Sequence, residues 1–477
     1  MIKRTLRRLL SMIDHAGTGG KETNLQLEIH GVSTDSRSVQ PGNLFVPLIG
    51  EQFDGHRFVA ESAAKGAAAA LWQTDHPSPP EHIPLIFVDD TLKALQQLAN
   101  AYRRELPARV VGITGSNGKT TTKDVAASLL STTYKVHKTI GNLNNHIGLP
   151  LTLLQMDEDT EVAVVEMGMS GRGEIRRLSE LAQPEAVIIT NIGEAHLQQL
   201  RSREEIAKAK LEIVSGLADD GLLIYPGDEP LIENLLKDRE RFEREMGFAL
   251  PGQLKTFRFG IGEHNDLYPT GMMLAQEGTQ FMLNWPDFPP LHIPLLGRHN
   301  VTNVLACIAL CKYMGVLTPN IANGLKHVQV TGMRIEKIRL PSGVTVINDA
   351  YNASPSSVKA ALALLEDLPG FKQKIVVLGD MLELGEQETR FHREIGRLID
   401  PKQIDYVFTF GPLARLIADE ARKTFGAERA RQFDDKREIV REVLRVAGPN
   451  DIVLVKASRG MRLEEVVAGL LAGGSAQ

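Results

Sequence analysis

The segment VVGITGSNGKTTT, residues 110–122, contains residue types that bind phosphate groups. Gly115 and Gly118 would let backbone amides approach phosphate oxygens without obstruction by a side chain, and a helix beginning after them would add oriented N–H groups. Lys119 would bring a full positive charge to the terminal phosphates of a nucleotide, and the Thr120 hydroxyl can bind Mg²⁺. The segment therefore predicts a phosphate-binding loop between a strand and a helix.

The segment departs from the general phosphate-loop motif at one position. The motif places a glycine five residues before Gly118, but Ile113 stands there and the nearest glycine is Gly112. A glycine-rich turn without a ligand is the alternative interpretation. The β-branched run before the turn and the helix-like stretch after it favour the phosphate loop.

Two further segments would place polar side chains at the same edge of a parallel sheet. Glu166 ends the run VAVVE, and Asn191 and His196 follow the run 186–190. Ligands bind outside the carboxyl ends of such strands, so Glu166 could hold Mg²⁺ between phosphate and substrate. The alternatives are a capping or ion-paired glutamate and a structural histidine.

Lys210 lies in the middle of an apolar stripe. In REEIAKAKLEIVSGL it shares one helical face with Ile206, Ile213, Val214 and Leu217. An ordinary lysine could snorkel to water from such a position. A desolvated lysine has a lowered pKa, and its neutral amine can add CO₂ to form a carbamate, an anionic oxygen ligand for Mg²⁺. Lys208, on another face, is the second candidate for this role.

The elements around these residues indicate an α/β protein of three domains. The chain has 477 residues, and domains average about 150. Residues 1–107 are of mixed character, with a predicted helix over 61–70. Short β-branched runs alternate with helical segments over 108–330 and again over 331–477, which predicts a central parallel-sheet domain and a smaller doubly wound, Rossmann-like domain.

Composition excludes several functional classes. Hydrophobic residues form 43% of the chain and charged residues 24%, which is typical of a globular protein. The net charge of −5 gives no indication of nucleic acid binding, and no apolar run is long enough for a membrane span.

The cysteines and the N-terminus favour a cytoplasmic protein. Cys307 and Cys311 lie four residues apart in an apolar, helix-like stretch, which predicts one buried face and neither a disulfide nor a zinc site. The basic N-terminus lacks the apolar length of a signal peptide, and the spacing of Leu6, Leu9, Leu10 and Ile13 favours an ordinary helix.

The loop TGSNGKTTT resembles the nucleotide loop of the Mur ligases, ATP-dependent amide-forming enzymes of peptidoglycan precursor synthesis, and the resemblance extends over nearly the whole chain. It implies ATP and two Mg²⁺ ions as cofactors. GRHNVTNVLAC resembles the family's adenine-contacting segment, GMRIEK the segment with an arginine that reaches the γ-phosphate, and INDAYNASPSS the ribose-binding segment. The ATP-binding residues implied are Gly115, Ser116, Asn117, Gly118, Lys119, Thr120, Thr121, Asn191, Asn300, Asn303, Arg334 and Asp349.

The same resemblance implies roles for the groups at the sheet edge. The metal ligands would be Thr120, Glu166, His196 and a carbamylated Lys210. The catalytic residues would be Lys119, Lys210, His196 and Arg334. From the residues alone, the paired asparagines could instead cap a helix and Asp349 could be a turn residue.

Further resemblance indicates the substrates. STDSRSVQPGNLFVPLIGEQFDGHRF resembles the family's uridine-nucleotide-binding domain, and NDAYNASPSSVKAAL with VVLGDMLELG resembles the member that adds D-alanyl-D-alanine to UDP-N-acetylmuramoyl-tripeptide. GNLNNHIGLP resembles the loop facing the peptide. The substrate residues implied are Ser36, Arg37, Asp54, His56, Asn144, Asn145, Tyr351 and Asn352.

Two other functions remain open from the sequence. One is the related ligase that adds a single amino acid, and the other is a nucleotide-binding regulator without ligase activity. The resemblance implies a monomeric enzyme that joins a tripeptide carboxylate to an amine through an acyl phosphate, with a cleft that closes between domains and excludes water.

Overall fold

The N-terminal part of the chain is built on a five-stranded sheet. The computed structural model describes residues 1–21, 24–51 and 53–473. In spatial order the strands are Gly17–Gly20, Pro84–Val88, Ala69–Gln73, Leu44–Phe45 and Val32–Ser33, and only the first pair is antiparallel. Lys3–Thr5 and Glu28–His30 form a separate antiparallel pair. The helices are Leu6–Leu10, Val59–Ala64 and Thr91–Glu105, with a 3-10 turn at Gly55–Phe58.

The central part is a six-stranded, fully parallel sheet. Its spatial order is Lys255–Phe259, Leu222–Pro226, Ala186–Ile189, Arg109–Thr114, Val162–Glu166 and Val136–Lys138. The inner strands are continuous apolar runs because helices cover both faces. From Arg109–Thr114 the chain adds strands first on one side and then on the other, so the loop after this strand lies at a topological switch point, where α/β proteins bind ligands.

Helices and a small antiparallel sheet surround the central sheet. The small sheet contains Pro269–Ala275, Gly278–Leu283 and Leu291–Ile293. The helices are Lys119–Leu130, Gly148–Leu154, Glu174–Ala182, Leu197–Leu200, Arg203–Leu211, Pro230–Leu236, Arg239–Met246, Arg298–Tyr313 and Thr318–Leu325, with a 3-10 turn at Glu212–Gly216.

The C-terminal part is a second six-stranded sheet with helices on its faces. Its order is Glu336–Arg339, Thr345–Asp349, Ile452–Lys456, Lys374–Gly379, Tyr406–Phe410 and Ala430–Phe433, and only the first strand is antiparallel to its neighbour. The helices are Pro355–Asp367, Glu388–Leu398, Arg415–Phe425, Lys436–Val446 and Glu464–Gly473, with 3-10 turns at Gly385–Gln387 and Arg459–Met461.

This architecture confirms the predicted α/β class with three parts. The main sheets fall within the predicted segments 1–107, 108–330 and 331–477, whose exact boundaries stay predictions. Cys307 and Cys311 are free and buried in the helix Arg298–Tyr313, as predicted, and burial raises the pKa of both thiols. Within the described residues, no helix has the length and apolarity that a membrane crossing requires.

Two local predictions differ from the structure. The alanine-rich helix predicted over 61–70 ends at Ala64, and Ala69–Gln73 is a buried strand, because pairing on both sides outweighs the helix preference of alanine. The helix that carries Lys210 ends at Leu211 and continues as a 3-10 turn, so the predicted stripe is not one regular helical face, although all five of its residues are buried.

Candidate active site

The loop 115–118 connects the strand Arg109–Thr114 to the helix Lys119–Leu130 and has little room for side chains. A Cβ on Gly115 would lie 1.8 Å from Thr190 Oγ1. Gly118 has a φ of +79°, and a Cβ there would lie 2.7 Å from Asn303 Oδ1. Glycine is therefore required at both positions for a steric reason.

Asn191 and its neighbours hold the loop in shape. Asn191 Oδ1 accepts from the Asn117 N–H at 2.9 Å, and its carbonyl accepts from the Ser116 N–H at 3.1 Å. Thr190 Oγ1 donates to the Asn117 carbonyl at 2.5 Å, and Ser116 Oγ accepts from the Gly193 N–H at 2.9 Å. Asn191 thus lies at the predicted site and orders the loop through these contacts.

Lys119 points back into the loop. Its Nζ donates to the Gly115 carbonyl at 2.8 Å. Burial lowers the pKa of Lys119; the Glu166 carboxylate opposes this effect and the nearby Arg334 charge adds to it. Two cations therefore converge beside one carboxylate, which leaves an excess of positive charge where phosphates would bind.

Glu166 is 2% exposed at the end of its strand. Its Oε2 accepts from Thr120 Oγ1 at 2.9 Å and its Oε1 accepts from Asn144 Nδ2 at 2.8 Å. Both contacts join predicted site residues that are far apart in sequence. Helix capping, the alternative interpretation of Glu166, finds no support among these contacts.

Lys210 is 1% exposed, and its side-chain amine has no hydrogen bond or ion pair with any residue that the structure describes. Burial lowers the pKa of Lys210 well below its usual value, and the charge of Lys119 lowers it further. Lys208, by contrast, pairs with Glu205 at 2.9 Å and Glu245 at 3.1 Å. Lys210 is thus the lysine of the two whose amine is free to react.

His196 lies between the central and C-terminal parts of the chain. Its Nδ1 is 2.7 Å from Glu383 Oε2, although the N–H direction is not aligned for a hydrogen bond. Burial lowers the pKa of His196, as does the charge of Lys119, whereas Glu383 opposes them. His196 is therefore near the loop lysine, as expected for a residue of the same site.

A cleft of about 300 Å³ lies in front of the loop. Residues from the central and C-terminal parts form opposite walls. The predicted site residues that line it are Ser116, Asn117, Gly118, Lys119, Thr120, Thr121, Asn144, Glu166, Asn191, Asn300, Asn303, Arg334, Asp349, Tyr351 and Asn352.

The C-terminal wall carries two cations. The Arg334 guanidinium lies 4.1 Å from the centre of the Tyr351 ring, and its buried Nε has no partner among the described residues. Lys456 Nζ pairs with Asp349 Oδ2 at 2.6 Å and donates to the Asn352 carbonyl at 2.9 Å. One oxygen of the Asp349 carboxylate is therefore engaged by Lys456.

The helix Arg298–Tyr313 contributes the asparagine pair. Asn300 Nδ2 donates to the Leu296 carbonyl at 2.8 Å, and Asn303 is 8% exposed against Gly118. Neighbouring His299 also lines the cleft, and burial lowers its pKa to about 4. The Asn303 side chain thus lies beside Gly118 of the phosphate loop, at the predicted site.

A second cavity of about 230 Å³ adjoins the cleft. Tyr351 and Asn352 line both cavities. His196 and Glu383 contribute to its walls, as does Arg459.

Four of the predicted substrate residues lie in the N-terminal part, outside this cleft. Arg37 is exposed and pairs with Asp35, and the Ser36 carbonyl accepts from Lys65 Nζ at 2.9 Å. The other two, Asp54 and His56, form a separate cluster. Asn145 lies on the loop beside Asn144, is exposed, and accepts from the Gly148 N–H at 2.8 Å.

Asp54, His56 and His76 have ligand atoms within 4.8 Å of one another. Asp54 accepts from the ring nitrogens of both histidines at 2.8 Å, and His56 Nε2 accepts from the Gln73 N–H at 3.3 Å. Burial acts to raise the pKa of Asp54, but the hydrogen bonds that it accepts from the His56 N–H and from the two histidine rings lower it to about 2. The His56 ring is saturated by hydrogen bonds, so Asp54 is the more accessible of the two predicted substrate residues.

Sequence reasoning missed His76, His299, Ser356, Glu383 and Lys456. The segments containing His299, Ser356 and Glu383 resemble family motifs, so a closer comparison of those motifs could have identified them. No sequence signal marks His76, because its partners lie in other segments.

Fold and cleft together define a nucleotide-dependent enzyme whose phosphate loop faces a separate C-terminal domain. Family models match along the chain: "Mur ligase family, catalytic domain" at residues 28–103, "Mur ligase middle domain" at 113–311, and "Mur ligase, glutamate ligase domain" at 333–459. The chain belongs to the Mur ligase family.

Curated and solved relatives agree with this assignment. The UDP-N-acetylmuramoyl-tripeptide–D-alanyl-D-alanine ligase of Bacillus subtilis is 51% identical over 99% of both chains, and the Escherichia coli enzyme of that name is 34% identical over 100% of both. The crystal structure of MurF from Acinetobacter baumannii covers 99% of both chains with a TM-score of 0.85 and 30% identity. The MurF ligase of Thermotoga maritima in complex with ADP covers 94% of this chain and 98% of its own, with a TM-score of 0.80 and 27% identity.

Proposed function

We propose that this chain joins D-alanyl-D-alanine to the tripeptide carboxylate of UDP-N-acetylmuramoyl-tripeptide, with conversion of ATP to ADP and phosphate, in peptidoglycan precursor synthesis. The observation that carries the proposal is the single cleft in which the phosphate loop and Glu166 face Arg334 and Asp349 of another domain. Full-length identity of 51% to the B. subtilis ligase supports the choice of substrates.

ATP would lie across this cleft with its phosphates on the loop 115–118. The loop amides and Lys119 would hold the phosphates, and the helix Lys119–Leu130 would add its N-terminal partial charge. Arg334, whose buried Nε has no hydrogen-bond partner among the described residues, would stabilise charge on the transferred phosphoryl group. Asp349 would bind a ribose hydroxyl, and Asn300 and Asn303 would contact the base.

The residues at the sheet edge fit Mg²⁺. Thr120 and Glu166 offer hard oxygen ligands, His196 offers a ring nitrogen, and bound Mg²⁺ would neutralise charge on the phosphates. Thr120 and Glu166 are hydrogen-bonded to each other, so an ion bound by both would replace this contact.

Lys210 would complete this ligand set as a carbamate. Its buried amine has no anionic partner within the described part of the chain, and its lowered pKa favours the neutral form that adds CO₂. The carbamate would add an anion beside Lys119, where positive charge is in excess.

The reaction would proceed in two displacements. A tripeptide carboxylate oxygen attacks the γ-phosphorus, the bond to ADP breaks, and an acyl phosphate forms. The dipeptide amine then attacks the acyl carbon, phosphate leaves, and the amine loses a proton. Water competes with the amine for the acyl carbon. Residues that close the cleft between the two domains would therefore protect the acyl phosphate from hydrolysis.

Substrate placement follows from the remaining predicted residues. Ser36, Arg37, Asp54 and His56 would contribute to uridine-nucleotide binding, and Asn144, Asn145, Tyr351 and Asn352 to peptide binding. We infer a cytoplasmic enzyme, because ATP and a nucleotide-linked precursor are intracellular substrates. We also infer that a monomer is active, because one chain contributes both walls of the cleft.

The mass of the product tests the function. Incubation with ATP, UDP-N-acetylmuramoyl-tripeptide and D-alanyl-D-alanine should give the amide-linked pentapeptide product with stoichiometric ADP and phosphate. Product with single amino acids on the dipeptide precursor would instead identify the related ligase. ATP binding without amide product for any acceptor would identify a regulator.

A further inference from the structure

The segment 380–385 reaches from the C-terminal sheet to the central domain. Its base is held firmly: Asp380 Oδ1 accepts from the Ala414 N–H at 2.6 Å, and the Met381 N–H donates to His392 Nε2 at 3.0 Å. The Leu382 N–H donates to Ser458 Oγ at 2.9 Å. The position of the next residue, Glu383, is therefore set by the C-terminal domain.

Glu383 contacts the central domain through its backbone and its side chain. Its carbonyl accepts from the Gln198 N–H at 3.0 Å, and its carboxylate lies 2.7 Å from His196 Nδ1. Both His196 and Glu383 have a φ of +63°, in the left-handed region. Two strained residues from different domains thus meet at the site, and such strain persists only where surrounding contacts impose it.

The energetics argue against a role in stability alone. The Glu383 side chain is 52% exposed, so water screens its contact with His196, and a contact screened in this way contributes little to stability. His196 Nδ1 is itself buried and has no hydrogen-bond partner among the described residues. The Glu383 carboxylate is therefore positioned to accept a hydrogen bond from His196 Nδ1.

The proton on His196 Nδ1 determines whether the other ring nitrogen, Nε2, can bind a ligand. A neutral histidine that binds a cation through one ring nitrogen carries its proton on the other, and a carboxylate that accepts this proton fixes both tautomer and ring orientation. His196 Nε2 has no hydrogen bond with any described residue, so it remains available to a ligand.

We propose that Glu383 is a positioning residue for His196: it keeps the proton on Nδ1 and leaves Nε2 free to bind a cation when the C-terminal domain is docked. A small rotation of the ring would align the N–H with the carboxylate. The central domain would thus obtain a correctly oriented ligand only after docking. The proposal rests on the proposed function in that His196 serves the phosphate and cation site.

NMR of the histidine ring nitrogens in the Mg²⁺-free protein tests the proposal directly. At pH 8.5, where histidine is normally neutral, His196 should be protonated on Nδ1 in the wild type and in Glu383→Gln, whose amide oxygen still accepts. Glu383→Ala should shift the ring signals towards a mixture of tautomers. The His196→Gln spectrum assigns the signals, and the matched control is Glu386→Gln, which removes the same charge from an exposed neighbour in the loop.

Mg²⁺ dependence gives the second measurement. Glu383→Ala should raise the Mg²⁺ concentration for half-maximal turnover about 10- to 100-fold, whereas Glu383→Gln and Glu386→Gln should change it less than threefold. Unchanged His196 signals in Glu383→Ala would overturn the proposal whatever the activity. Failure of the wild type to form the amide product would instead reject the proposed function, and the tautomer result would still be interpretable.

Discussion

Asp124 accepts two hydrogen bonds from Thr331, one from its N–H at 2.9 Å and one from its hydroxyl at 2.7 Å. Asp124 lies on the helix that follows the phosphate loop, and Thr331 precedes Arg334 by three residues. Asp124 is fully buried and also accepts from Lys138 at 2.7 Å. The helix that follows the phosphate loop therefore fixes the start of the segment that carries Arg334.

Thr331→Val removes the hydroxyl and keeps the shape of the side chain. We expect a loss of about 1–2 kcal/mol in the free energy of unfolding, because a hydrogen bond to a buried carboxylate is lost. Turnover should fall several-fold with little change in ATP affinity, because Arg334 is less well placed. Denaturant unfolding and steady-state kinetics measure the two effects. Thr132→Val, which loses a hydroxyl bond to the Leu129 carbonyl instead, is the control; equal turnover in both variants would contradict the prediction.

Gly118→Ala should weaken ATP binding at least tenfold. The new Cβ would lie 2.7 Å from Asn303 Oδ1, in a left-handed conformation that itself costs about 1–2 kcal/mol for a residue with a Cβ. Gly141→Ala is the matched control, because Gly141 also has a positive φ but a Cβ there would have no neighbouring atom within 4 Å. Calorimetric ATP titration of both variants checks the prediction, and equal affinities would show that the clash does not matter.

Lys210→Met should raise stability while abolishing turnover. The methionine fills a similar volume but removes a buried amine that has no partner in the described part of the chain, so we expect a gain of roughly 1–4 kcal/mol in the free energy of unfolding. Lys208→Met, which removes two ion pairs at a partly exposed position, should be neutral or slightly destabilising. Urea unfolding in Mg²⁺-free, CO₂-depleted buffer measures the stability of both variants. A Lys210→Met variant less stable than the wild type would contradict the prediction that the buried amine is destabilising.

The gain in the free energy of unfolding that Lys210→Met gives over the wild type should decrease as pH rises. In the unfolded chain Lys210 has the ordinary lysine pKa of 10.5, whereas burial lowers its pKa in the folded protein. At a pH between these two values, the amine is protonated in the unfolded chain and neutral in the folded one. Unfolding then takes up a proton, so wild-type stability increases with pH up to about 10.5. Unfolding curves at pH 7, 8, 9 and 10 measure the stability difference between Lys210→Met and the wild type. A difference that increases with pH would contradict the prediction.

Carbamylation has a separate test in Lys210→Ala. Short carboxylates such as formate or acetate should restore part of the turnover if the missing group is a carbamate oxygen. Lys119→Ala, which lacks the phosphate-loop charge, should not respond to them. Rescue of both variants, or of neither, would remove the support for a carbamate.

Arg334→Lys should lower turnover more than ADP affinity. Lysine keeps the charge but not the planar group that stacks on Tyr351 at 4.1 Å and can bind phosphoryl oxygens in two places. We expect a loss in turnover of about 10- to 1000-fold, as for other groups that stabilise developing charge. Arg339→Lys, on the adjoining strand and exposed, is the control. If ADP affinity fell as much as turnover, Arg334 would contribute to nucleotide binding and not specifically to the transition state.

The sequence by itself determined the parts that depend on local pattern. Apolar runs such as Val162–Glu166 predicted buried parallel strands, and the glycine–lysine loop predicted its own strand–loop–helix context, because both are encoded in consecutive residues. Resemblance supplied the candidate ligands, whose roles stay predictions. The outcome at Ala69–Gln73 was different, because strand pairing decided a conformation that alanine content predicted wrongly.

Only the tertiary structure decided which side chains meet. Thr120 and Asn144 converge on Glu166, and Glu383 reaches His196, from segments that no local pattern connects. Lys208 and Lys210 are alike in sequence, but one has carboxylate partners and the other has none within the described residues. The physical reason is that burial and charge pairing are properties of the packed chain, and they set the chemistry of a side chain more strongly than its sequence neighbours do.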